Sequence, residues 1–204
     1  QTTRRVIRAI ITRPDGQLIL VDTPGIHRPR TLLGQRLNEE VKDTYSTVDA
    51  VALCIPANET IGPGDRFITE SIAGLSKSIN FALVTKTDLV NPEQLVKQLI
   101  AVEKLGTELG VNWSSIIPVS AKSNDQVDVV IDELMKAMPQ GPQFFPEDTV
   151  TDEPEEIFVS ELIREAALKG VQDELPHSIA VVIEEMSLRE DRPENFPLTD
   201  IYAS

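Results

Sequence analysis

The chain has 204 residues, of which 41% are hydrophobic and 25% charged, with a formal net charge of −14. No apolar run approaches the roughly 20 residues of a membrane-spanning helix, and the single Cys54 excludes an internal disulfide framework and suits a reducing cytoplasm. The charge is uneven: residues 1–140 carry 15 Lys/Arg against 17 Asp/Glu, and residues 141–204 carry 4 against 16, so the C-terminal part repels phosphate backbones.

The opening Gln1-Thr2-Thr3-Arg4-Arg5 carries no signal-peptide pattern and no initiator Met, so residues upstream are expected. Arg4, Arg5, Arg8 and Arg13 form a basic start without an acid, which reads as a solvated strand face sooner than as a site for phosphate or RNA. Val6–Ile11 predicts a strand, Pro14-Asp15-Gly16-Gln17 a turn, and Leu18–Val21 a second strand, together a hairpin forming one antiparallel edge of a sheet. Residues 31–47 have Leu33, Leu37 and Val41 at helical spacing. Ala50–Ile55 is a continuous apolar run, as a buried parallel strand is. Gly62-Pro63-Gly64 precedes a helix over 65–77, and Phe81–Val84 reads as another buried strand.

Asn91-Pro92-Glu93 is a cap followed by a first-turn proline, opening a helix that runs to 109. Ile116–Val119 is a short strand, with Trp113 expected to pack beside it, and a helix is expected over 124–138. This alternation predicts an α/β fold with a mostly parallel sheet flanked by helices. The domain is expected over 1–140, a linker over 141–154, and a second, partial α+β domain over 155–204. That second part shows a helix over 155–170 and a strand over 179–183, too little to close a core.

Ligands bind at the carboxyl ends of strands in an open parallel sheet, and three short motifs stand at such ends. Asp22-Thr23-Pro24-Gly25 follows the second strand. Its acid can hold a magnesium ion, usually through water, and its glycine lets a backbone N–H approach a terminal phosphate. Thr85-Lys86-Thr87-Asp88 follows the strand at 81–84. The Asp88 carboxylate can accept from both the ring N–H and the exocyclic amine of guanine, a donor pair adenine lacks, while the Lys86 stem lies over the base plane. Ser120-Ala121-Lys122 follows the strand at 116–119, where the Ala121 N–H can donate to the guanine carbonyl. Each motif alone is a strand–turn or a charged loop. All three in order, with Gly25, Asp88 and Ser120 spaced 63 and 32 residues apart, point to a guanine-nucleotide site.

The pattern resembles the translation-factor-related GTPases, and within them the Era-like family. Gln1-Thr2-Thr3-Arg4 resembles that family's first switch segment. The resemblance implies that Thr2 or Thr3 reaches magnesium and the γ-phosphate; Thr3 is assigned with Asp22 to the metal and with Gly25 to catalysis. It assigns the nucleotide to Asp22, Thr23, Gly25, Thr85, Lys86, Asp88, Ser120, Ala121 and Lys122. Phe145-Pro146-Glu147-Asp148 with Thr151-Asp152, Ser160-Glu161-Leu162-Ile163-Arg164-Glu165 and Glu174-Leu175-Pro176-His177-Ser178-Ile179 resemble the interdomain stretch and the opening helix and strand of the family's KH domain. The resemblance spans essentially the whole chain. It implies GTP/GDP and Mg2+ as cofactors and GTP hydrolysis as the activity. It also implies small-subunit ribosomal RNA and the 30S subunit as partners in ribosome assembly, in the cytoplasm with peripheral contact at the inner face of the membrane.

Four departures qualify that expectation. Nothing like G-x-x-x-x-G-K-[ST], whose backbone N–H groups and Lys grip phosphate, is present in the 204 residues; in the family it precedes the position of Gln1. Thr85 stands where the family has Asn. The KH G-x-x-G loop is expected beyond Ser204. Ile26 stands where Ras-type proteins place a water-orienting Gln, which fits the Era-like resemblance, since the residue there is apolar in such proteins. The alternative is a fragment that cannot hold GTP tightly and acts only as a binding module. His27 and His177 read as surface and structural histidines, and no side-chain metal cluster is suggested.

Overall fold

A computed structural model describes residues 7–22, 47–74, 78–169, 180–189 and 199–204. They fall into two compact units, Gln1–Val150 and Thr151–Ser204.

The first unit opens with a hairpin of β1 (Ile7–Arg13) and β2 (Gly16–Asp22), paired antiparallel from Ile7 opposite Asp22 to Arg13 opposite Gly16. Pro14 and Asp15 make a two-residue turn, shorter than the expected 14–17, because Gly16 and Gln17 already belong to β2. A parallel sheet follows, with β3 (Ala50–Pro56), β4 (Ile79–Thr85) and β5 (Trp113–Pro118) in the order β3-β4-β5. The hairpin was expected as an edge of this sheet. Among the described residues it is a separate two-stranded sheet. What joins them is burial: Leu18 of β2, Phe81 of β4 and Leu134 share one apolar cluster.

Four described helices complete the chain. In the first unit, α1 (Pro63–Ala73) starts with proline in its first turn, and the Gly62 N–H donates to the Asp65 carboxylate at 2.8 Å. It ends at Gly74, and the expected extension over 75–77 lies outside the described residues. In α2 (Pro92–Leu109), the Asn91 side chain accepts from Gln94 N at 2.9 Å, and Gln94 Oε1 accepts from Asn91 N at 3.0 Å. This is a reciprocal capping box. Gly110 closes α2 at φ 75°, a left-handed conformation that glycine adopts without steric cost. The helix α3 (Val127–Ala137) starts later than the expected 124, because Ser120 and Asp125 exchange backbone hydrogen bonds at 3.0 and 2.9 Å and tie that stretch into a loop.

The helices α1 and α2 cover one face of the parallel sheet, where Val51, Leu53, Ile55, Ile72, Ala82, Val84, Val102 and Leu105 are buried together. On the other face α3 packs on β2 and β5. There the apolar run of β3 is not buried throughout: Ala52 and Cys54 are exposed, since among the described residues the helix on that face lies over other strands. Trp113 does not stand beside β5 but begins it, and its indole N–H donates to Val102 O at 3.1 Å.

The stretch 141–154, expected as a linker, is held in part by the first unit. Gln17 Nε2 donates to Phe145 O at 3.0 Å, and Gln17 Oε1 accepts from Phe144 N and Phe145 N. Ile10 N donates to Val150 O at 2.9 Å.

The second unit holds α4 (Glu155–Lys169) and an antiparallel pair of β6 (Ile183–Leu188) and β7 (Thr199–Ala203), and α4 packs on β6. The strand expected over 179–183 is displaced toward the C-terminus, and β7 was not foreseen. The Ile/Val-rich residues up to 182 precede the strand, whereas Glu184 and Glu185 fall inside it. Pairing with β7 decides this, and strand preference depends on the partner more than on composition. Val182 and Ser204 extend the pair through reciprocal 3.0 Å backbone hydrogen bonds. Among the described residues, no helix is long and apolar enough to cross a membrane.

Candidate functional site

The register of the parallel sheet aligns the ends of its strands. Pro56 is opposite Thr85, and Val84 is opposite Pro118, so the segments after β3, β4 and β5 leave from one edge. Two of the three motifs lie there. Thr85 ends β4; Thr87–Leu89 forms a single 3-10 turn carrying Asp88; Ser120, Ala121 and Lys122 begin the loop after β5.

These two motifs touch. The Ser120 hydroxyl donates to Asp88 Oδ1 at 2.6 Å, across 32 residues of sequence. Ser120 is 1% exposed, and its oxygen also accepts from Ser123 N at 3.2 Å. A hydroxyl anchored in this way fixes the rotation of the carboxylate. The exposed Asp88 therefore presents its other oxygen in a set direction, and Ala121 and Lys122 are exposed beside it. A hydrogen bond of that length to an ionised carboxylate belongs to the stronger kind.

Lys86 stands between strand and turn at φ 57°, ψ 38°, a left-handed conformation uncommon for a residue with a side chain. The backbone on both sides is held: Leu89 N donates to Lys86 O at 3.1 Å, and Ala57 N donates to Thr85 O at 2.7 Å. The Lys86 ammonium lies 3.5 Å from Glu59 Oε1. Neither Glu59 nor its turn was singled out from the sequence, because no motif marks it. A signal did exist in α2, where polar Gln98 falls on the helix row that otherwise buries Val102 and Leu105; its amide donates to Pro56 O and Glu59 O.

The third motif is represented by Asp22 alone, at the end of β2 and exposed. Although Cys54 is open to solvent on one side, the protein atoms packed around its thiol raise its pKa by desolvation, and the Asp22 carboxylate raises it further. The carboxylate thus acts electrostatically on a residue of β3. A carboxylate oxygen at a strand end suits a hard cation that keeps its waters and binds through one acid and phosphate oxygens, so Asp22 fits magnesium. Among the described residues, no group of three or more acidic, His or Cys side chains could hold a metal by itself. Thr2, Thr3, Thr23, Gly25, Ile26, His27 and His177 lie outside the described residues, as does all but the last residue of the helix expected over 31–47.

Residues 1–86 match the family model described as 50S ribosome-binding GTPase. Over all 204 residues the chain is 59% identical to GTPase Era of Streptomyces coelicolor and 57% identical to GTPase Era of a Nocardioides species. It spans 64% and 65% of the length of those two proteins. Among solved structures it is similar to Era in complex with MgGDPNP and nucleotides 1506–1542 of 16S ribosomal RNA. That likeness has a TM-score of 0.84 and 29% identity, over 99% of this chain and 67% of the other. It is also similar to an Aquifex aeolicus Era variant bound to GDP and AlF4−, with a TM-score of 0.81 and 28% identity over 92% of this chain and 62% of the other.

Proposed function

We propose that the chain is part of an Era-type GTPase, being 57–59% identical to two such proteins over all 204 residues, and that its protein binds GTP and GDP with Mg2+, hydrolyses GTP, and acts on small-subunit ribosomal RNA. The observation that carries the nucleotide reading is the 2.6 Å bond from Ser120 to Asp88, which brings the two motifs together.

In this reading Asp88 accepts from the guanine ring N–H and exocyclic amine, and the Ala121 N–H donates to the guanine carbonyl. Adenine satisfies neither, and a polar group left unpaired on a closed site is strongly disfavoured. Lys86 lays its stem over the base, and Lys122 borders the same edge. Thr85 supports the turn through its backbone, where the family's Asn adds a side-chain tie. Asp22, with Thr23 beside it, faces the phosphates, and Thr3 or Thr2 and the Gly25 N–H sense the γ-phosphate. Magnesium, when bound, neutralises charge on the phosphate oxygens. Hydrolysis is in-line attack of water on the γ-phosphorus, and Ile26, being apolar, leaves the placing of that water to other groups. The phosphate-gripping motif is not within the 204 residues, so nucleotide measurements belong on the complete protein.

The family model's description names the large subunit, whereas the solved Era complex holds 16S RNA. Identity of 54–59% to Era proteins over the whole chain favours the small subunit. RNA contact falls to the second unit, read as the opening of a KH-type domain, and the 30S particle is the larger partner. The reading places the protein in the cytoplasm, where ribosomes assemble; peripheral contact with the membrane is a separate expectation that vesicle flotation tests.

Isothermal titration with Asp88→Asn tests the base site. GDP affinity is expected to fall about 100-fold or more, with gain for xanthosine diphosphate, whose 2-oxo group accepts from the new amide. Unchanged preference for guanine over adenine nucleotides refutes the assignment.

A further inference from the structure

We propose that Gln98 of α2 is a positioning residue for the base-binding turn, acting through the Pro56–Glu59 segment on Lys86; this rests on the reading of Lys86 and Asp88 as guanine contacts. Gln98 is 9% exposed, in a helix row whose other members are apolar. An amide there is costly unless its donors are paired. Both are: Nε2 donates to Pro56 O and to Glu59 O, each at 3.0 Å. The two carbonyls bracket the turn after β3, whose own backbone closure is a long 3.5 Å bond from Glu59 N to Pro56 O. Gln98 is therefore the clamp of that turn.

From the clamped turn two links reach the base segment. Ala57 N donates to Thr85 O at 2.7 Å, and the Glu59 carboxylate pairs with the Lys86 ammonium at 3.5 Å. Lys86 is the one residue of the turn with left-handed backbone, a conformation that persists only where surroundings impose it. Its stem is useful only if it lies flat on the base. Glu59 fixes where the ammonium end goes, and Gln98 fixes where Glu59 stands. The ion pair is exposed on both sides and weak by itself. The hold comes from the buried amide, which turns a loose surface pair into a directed one.

A purely structural role for Gln98 gives a different result in a double-mutant cycle. In the complete protein, GDP and ADP affinities are measured by titration calorimetry for Gln98→Leu, Lys86→Ala and the double variant. Gln98→Leu keeps the volume and removes both donors. It is expected to weaken GDP binding about tenfold, and to add nothing once Lys86 is Ala. The same tenfold loss in both backgrounds, or no loss in a folded Gln98→Leu protein, overturns the proposal. Glu59→Gln, at the surface and harmless to folding, carries the test if Gln98→Leu does not fold. It is expected to weaken GDP binding about twofold at low salt and not at about 1 M salt, where the pair is screened. No difference at low salt breaks the link from Glu59 to Lys86 and overturns the proposal. A wild-type protein with no preference for GDP over ADP removes the base-site reading itself, a failure distinct from the others.

Discussion

The interior of the β3-β4-β5 sheet and its carboxyl edge are built from the same strands under different rules. Inside, Phe81, Val84, Ile72 and Val102 have almost no exposure, and shape alone matters. At the edge, side chains are polar and directed: Ser120 to Asp88, Glu59 to Lys86, Gln98 to two carbonyls. The difference teaches that close packing and directed polar contacts reside in separate residues of the same unit. Gln98 is where the two meet, since it belongs to the packed row and speaks to the edge.

That division can be broken by experiment. Phe81→Ala empties the centre of the cluster shared with Leu18 and Leu134. It should cost about 3–5 kcal/mol of stability, read by denaturant unfolding, while any folded fraction keeps its preference for GDP over ADP. A changed preference would mean that the interior also sets the base site. Gly106→Ala tests shape from the opposite side. A Cβ there would stand 2.2 Å from Trp113 Nε1 and 2.8 Å from Val111 O, displacing the indole from its bond to Val102 O. A loss of about 3 kcal/mol is expected by the same unfolding measurement, and a loss below about 0.5 kcal/mol would show that the packing yields. Ser120→Ala sharpens the comparison at the edge. It frees Asp88 to rotate and leaves Ser123 N without its acceptor. GDP affinity should fall about tenfold, for about 1 kcal/mol of stability. Loss of stability with affinity intact would place Ser120 with the interior.

Much of the edge was legible as motifs. Asp88 and Ser120 were named separately from the sequence for their parts in guanine recognition, and the structure adds that one aims the other. Glu59 and the Pro56–Glu59 turn carry no motif, because their role depends on the register that puts Pro56 opposite Thr85. Gln98 breaks an apolar row, which a closer reading of periodicity exposes, but its partners 42 and 39 residues away do not follow from spacing. In the second unit the apolar run 179–183 reads as the strand, and it shares only Ile183 with the observed Ile183–Leu188, which pairs with Thr199–Ala203. A strand is settled by its partner, and the partner here has little strand signal of its own.

By itself the sequence determined the local matters: a hairpin turn within residues 14–17, the Asn91 cap, the alternation that makes α/β, and the three motifs at strand ends. Each depends on neighbours within a few positions or on apolar runs, which are visible in one dimension. Only the tertiary structure decided that the hairpin is joined to the parallel sheet by Leu18, Phe81 and Leu134 rather than by a ladder among the described residues. It alone decided that Ser120 orients Asp88, and that a helix amide braces the turn beside Lys86. Those depend on distances between residues far apart in the chain, which packing sets and local preference does not.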